Sequence, residues 1–189
     1  MKPPSRQPPA NRKRITISSS TSARTTSTEA ADLLQTIKAH RAFLLETVRD
    51  LTDDQASQRT TASALTLAVI IKHVTDGERS WISFILDGPR AIGDFSDNVE
   101  KYQAGWQLES EETLAVLAER YAEVAQRTEE LIPTLDLDTA QPLPVAPWFE
   151  PGGRWSARRV VLHLIAETAQ HAGHADIIRE SLDGAKTMG

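Results

Sequence analysis

The stretch HLIAETAQHAGHADIIRE, residues 163–180, sets three histidines and a glutamate at spacings of three and four. Wound as a helix at about 100° per residue, His163, Glu167, His171 and His174 fall within an arc of about 80°, an arc that also carries Val160 and Ile178. Arg158, Asp176 and Glu180 fall on the opposite side. The ionisable cluster therefore points toward an apolar interior. Leaving a buried polar group unpaired costs roughly 1–3 kcal/mol, so such a cluster needs a specific compensation. A divalent cation is the economical one, because side chains at i and i+4 reach a common ion and a donor from a facing element completes an open site. The chain has no cysteine, so a metal would have to be held by histidine and carboxylate.

A matching donor lies upstream. His73 sits among Val69, Ile70, Gly77, Trp81 and Phe84 on the apolar face of a second amphipathic segment, with Lys72, Asp76, Arg79 and Ser83 read as its outer face. His73, Glu167, His171 and His174 are thus the candidate metal ligands. His174 can equally serve as a partner to a ligand or as a general base, and spacing does not decide. His163, nearest the helix start, reads as a supporting or core group, and His40 as a hydrogen-bonded core histidine. Trp81, Trp148 and Trp155 read as packing residues. A metal-free hydrogen-bond network built from the same side chains is the competing structural reading.

Four long helices must position these groups. The first opens at Thr28 and carries Leu33, Ile37, His40, Leu44, Val48 and Leu51 on one side. The second spans about Leu65 to Asp87 and stops at DGPR. Residues 88–109 form a long connection. Ser110 opens a third helix with acids in its first turn, and Pro133 ends it. Residues 133–155 contain five prolines and two tryptophans. That segment is too stiff for a helix and too apolar for a free linker, so a packed lid is expected. Ser156 caps the last helix, about Ala157 to Leu182, which closes at Asp183 and Gly184. With no convincing strand, the fold is expected to be all-α, a four-helix bundle whose second and third helices are joined by a long crossover.

Composition bounds the rest. A length of 189 residues allows one domain and a tail, and 40% hydrophobic with 25% charged residues is the balance of a soluble globular protein. Residues 1–28 hold six basic side chains and no acid, with abundant Pro, Ser and Thr, and read as a disordered basic tail before a bundle over 29–189. Removing those six charges from the formal net charge of −5 leaves −11, which disfavours nucleic acid as a partner. No apolar run of membrane-spanning length and no secretory leader is found, so a cytoplasmic location and a small-molecule substrate are expected, with homodimerisation through outer helix faces open.

The segments LAVIIKHVTDGERSWI and RWSARRVVLHLIAETAQHAGHADIIRESLDG resemble the second and fourth helices of the DinB-like, or YfiT-like, metalloenzyme superfamily, in an actinobacterial branch of unknown function. The resemblance covers about residues 30–185. It implies a four-helix bundle holding zinc, or nickel, through one histidine of the second helix and two ligands four residues apart on the fourth. Carried over, these are His73, Glu167 and His171. Many members have histidine where this chain has Glu167, whereas the related mycothiol-dependent maleylpyruvate isomerases have glutamate. The resemblance further implies a transferase or isomerase dependent on a low-molecular-weight thiol such as mycothiol or bacillithiol. A metal-dependent hydrolase and a non-catalytic, stress-related binding module are the alternatives.

Overall fold

The computed structural model describes residues 28–187. Its long helices are α1 (Thr28–Glu46), α3 (Leu67–Asp87), α5 (Leu114–Leu131) and α6 (Ala157–Asp183), with the short helices α2 (Asp53–Ala56) and α4 (Val99–Ala104) in the connections. The chain is mostly helical, and among the described residues the sheet structure is one antiparallel pair, β1 (Ala140–Pro142) with β2 (Arg154–Ser156). The disordered tail expected over residues 1–28 lies outside the described residues except for Thr28, with which α1 opens.

Local chemistry sets the helix ends. The side chains of Thr66, Thr113 and Ser156 accept the backbone N–H of Val69, Val116 and Arg159, satisfying donors that the first turns of α3, α5 and α6 leave unpaired. Gly184 closes α6 in the left-handed conformation at φ 81°, where a side chain would be strained.

Two apolar clusters occupy the two ends of the bundle. One gathers Leu44, Ile70, Ile71, Val74, Leu117, Tyr121, Ala175 and Ile178, and the other Ile37, Ile82, Phe84, Ile132, Val160, Val161 and Leu164. On each long helix the two sets are separated by about two to three turns, and there the chain places polar side chains: Arg41 on α1, Thr75 and Glu78 on α3, Thr128 on α5, and Glu167, Thr168 and His171 on α6. The bundle is an apolar core cut by a polar layer. Since α6 packs against both α1 and α3, and α3 against α5, that layer crosses the molecule.

Three expectations are corrected. α5 begins at Leu114 rather than Ser110, because Thr113 is the cap and Glu112 turns inward instead of lying over the first turn. Lys72, read as solvent-facing, is buried, since the 88–109 connection folds back over α3 and covers it. That connection contains α4. The segment 133–155 pairs with itself at its ends, Gln141 opposite Trp155, a pairing too short and too proline-rich to show as alternation in the sequence. The two connections are tied together: the Phe95 N–H donates to the Val145 carbonyl at 2.9 Å, and the Val145 N–H to Asp94 Oδ1 at 2.7 Å.

Candidate metal centre and its aromatic surround

The side chains of His73, Glu167 and His171 converge, each offering a ligand atom within 4.8 Å of the others. α3 supplies the first and α6 the other two, one turn apart. His171 Nε2 stands 3.7 Å from Glu167 Oε2, beyond hydrogen-bond length, and its buried Nδ1 has no hydrogen-bond partner. His73 is held well below the ordinary histidine value, at about 4, by burial and then by the neighbouring His171, with Glu167 pulling weakly the other way. It is therefore neutral at neutral pH, with a lone pair free. Glu167 is held below the usual carboxylate range, first by the His171 imidazole and then, against the cost of burial, by His163 and His73. The neutral His73 imidazole, the ionised Glu167 carboxylate and the His171 imidazole, whose buried Nδ1 lacks a partner, form a donor set that fits a divalent cation of the zinc or nickel type.

The fourth candidate, His174, is not brought into this group. Its ring centroid lies 5.5 Å from that of His171, and its Nδ1 is also buried and without a hydrogen-bond partner. His163 stands one turn before Glu167, between the edges and faces of Trp81 and Trp155, each 5.0 Å away. Burial and then Arg159 hold it below its ordinary value, with Glu167 acting in the opposite sense. His40 packs edge-on against Phe43 and is absent from the group of three.

Two features escaped the sequence reading. Trp106, in the 88–109 connection, stacks on the His73 ring with centroids 3.8 Å apart and planes inclined by 21°, and it also faces His171 at 6.3 Å. Its only sequence signal was a tryptophan in a connection longer than a fold requires. The second is the rest of the polar layer. Arg41 and Glu78, 4% and 1% exposed, form a two-pronged ion pair, Thr128 Oγ1 donates to the same carboxylate, and Arg41 Nη1 reaches Glu129 at 3.2 Å. Tyr121 lies beside them, its phenol raised by burial and then by the Glu78 charge; its hydroxyl faces Thr168 and Arg41 without a hydrogen bond of ordinary geometry.

An aromatic cluster of α3 and the lid stands against His163, one turn from Glu167. Trp81 and Trp155 stack at 4.8 Å, Phe149 packs against both, and Trp148 links Phe149 to Phe95 and Tyr102 of the other connection. A separate surface groove between the end of α1 and the start of α5 is lined by Leu45, Leu51, Leu114 and Ala118; it contains no histidine and lies away from the three donors.

A bundle of four long helices, with its ionisable donors on α3 and α6 facing the interior, defines a protein of the DinB/YfiT-like class. The chain belongs to the mycothiol-S-transferase family, whose model matches residues 32–184. No curated protein matches the chain. Among the described residues no helix is long and apolar enough to cross a membrane.

Proposed function

We propose that the protein is a divalent-metal-dependent S-transferase acting on a small electrophile with a low-molecular-weight thiol of the mycothiol type, and that His73, Glu167 and His171 hold the ion. The observation that carries the reading is the convergence of these three donors from two helices, with ligand atoms within 4.8 Å of one another. When bound, a zinc or nickel ion at such a place lowers the pKa of a coordinated thiol or water by several units. A nucleophile is then available near neutral pH in a chain that has no cysteine of its own.

The remaining work falls to the chain. The ionised Glu167 supplies the negative charge that balances a divalent ion, and the neutral His73 supplies a lone pair without first losing a proton at neutral pH. His174, next to His171 and with an unpaired buried Nδ1, would take up the proton that the thiol gives up. Trp106 shields one face of His73 from water, and the aromatic wall of Trp81, Phe149 and Trp155 offers an apolar surface to the electrophile. In the transfer the thiol sulfur forms a bond to the electrophilic carbon as the leaving group departs with the bonding pair.

Elemental analysis of protein purified without chelator or metal-binding tag, followed by conjugation of mycothiol to 1-chloro-2,4-dinitrobenzene, tests the reading. Near-stoichiometric metal and thiol-dependent conjugation are expected, both lost in His73→Ala and His171→Ala. Ester hydrolysis without thiol by the same metal-loaded protein would make it a hydrolase instead. A folded wild type that takes up no added zinc or nickel would leave the cluster a structural network and overturn the proposal.

A further inference from the structure

We propose that Lys72 is a positioning residue for this centre: through the Gln107 carbonyl it seats the Trp106 indole on the His73 ring, an inference that rests on His73 serving as a metal ligand. A lysine that is 7% exposed is unusual, because its ammonium must find partners to replace water. Lys72 Nζ donates to the Gln107 carbonyl at 2.8 Å and to Glu112 Oε2 at 2.6 Å. The Glu112 carboxylate also accepts the Glu109 N–H at 3.0 Å and Arg120 Nη1 at 2.7 Å. One ammonium and one carboxylate thus join the second turn of α3, the end of the 88–109 connection and the start of α5.

What this junction holds is the residue just before Gln107. Trp106 lies nearly parallel to His73 at 3.8 Å, while Lys72 and His73 are successive residues of α3 and so project about 100° apart. The connection is pinned on the Lys72 side and laid over the ring on the His73 side. Its closing segment Trp106–Glu109 lies outside any helix, so the anchor matters for where the indole rests.

Two consequences for His73 follow. Stacking restrains rotation of the imidazole, so the ring faces Glu167 and His171 before an ion arrives, and this preorganisation lowers the entropic cost of binding. An imidazole that donates density to a cation also becomes electron-poor, and an indole face is a favourable partner for such a ring. Lys72 itself touches neither the donors nor any reacting atom in this arrangement. Its influence would run through Trp106.

The full chain labelled with 5-fluorotryptophan provides the test, because its four tryptophans give four 19F resonances and Trp106→Phe assigns one of them. In metal-free Lys72→Met the Trp106 resonance is expected to move while the other three keep their wild-type positions. Cobalt(II), used as the probe, is expected to bind at least about tenfold more weakly to Lys72→Met and to Trp106→Ala, as for residues that orient a ligand from behind. The double variant should be no weaker than either single one, since both substitutions remove the same effect. An unmoved Trp106 resonance in Lys72→Met, or additive losses in the double variant, would overturn the proposal. Should Lys72→Met fail to fold, Lys72→Arg, which keeps the charge and donors, carries the test: its Trp106 resonance and cobalt affinity must stay near wild type, and the proposal falls if that resonance moves away from its wild-type position or the cobalt affinity drops to that of Trp106→Ala. A wild type that binds no cobalt removes the metal reading and the effect on affinity, whereas the metal-free resonance judges the clamp separately.

Discussion

Replacing Arg41 with methionine is the perturbation whose size the structure fixes best. Arg41 and Glu78 are 4% and 1% exposed, and the guanidinium donates through both Nε and Nη2 to the carboxylate. Methionine keeps much of the apolar stem but strands the Glu78 carboxylate with Thr128 as its one remaining hydrogen-bonding side chain. Breaking a buried pair in this way costs about 3–5 kcal/mol. The contact with Glu129 adds little, because that carboxylate is 31% exposed. With a melting-point change of about 2–4 °C per kcal/mol for a chain of this length, a loss of about 6–20 °C is expected. Thermal unfolding measures that loss and urea unfolding the free-energy cost, each followed by circular dichroism and by fluorescence, with coincident transitions checking that the process is two-state. Arg41→Met/Glu78→Met should recover most of the loss, since no charge is then left unpaired in the core. A cost below about 1 kcal/mol for Arg41→Met, or a double variant as unstable as the single one, would show that the pair does not behave as a desolvated ion pair.

The pH dependence of the metal-free protein has a definite sign. His73 is at about 4 in the fold against 6.5 as its ordinary value, so the unfolded chain takes its proton first; the contribution is whole above the unfolded value and is lost as the pH falls toward about 4. His163 acts in the same direction. Urea midpoints measured in chelator between pH 7 and pH 4.5 should fall, with a shallower slope in His73→Ala; solvent reaching the part-exposed ring keeps the change below that of a fully buried group. At a free zinc concentration of 100 times Kd, wild type should gain about 2.7 kcal/mol of stability, read as a rise in melting temperature that His171→Ala abolishes. Ser156→Ala should cost about 1 kcal/mol by removing the cap of α6. Arg158→Ala, whose partners Glu29 and Asp138 are largely solvent-exposed, should cost less than that, and the same unfolding assay compares the two.

The polar layer gives α3 a divided role. Glu78 faces Arg41 of α1 and Thr128 of α5, while His73, five residues earlier and so about 140° around the helix, faces α6. Because Glu78 is fixed from two neighbours, the rotation of α3 about its own axis is fixed as well, and with it the direction in which His73 projects. Stability and site geometry are therefore carried by opposite faces of one helix.

The sequence by itself determined the all-α class and the four long helices, because apolar residues recur at helical spacing and Ser156 and Gly184 mark the ends of the last one by local chemistry. It also placed His73 on one inward stripe and Glu167 and His171 on another, since burial of a helix face is encoded in its period. Contacts between distant segments have no such period. The burial of Lys72 beneath the 88–109 connection, the seating of Trp106 on His73 and the pairing of Arg41 with Glu78 join residues 35, 33 and 37 positions apart. Each depends on which elements pack together. An inward Arg41 or Glu78 looks like a misplaced charge until the opposing helix supplies its partner; helical spacing left His174 level with the other three, the family resemblance implied His73, Glu167 and His171, and the tertiary structure brings those three into one group with His174 outside it.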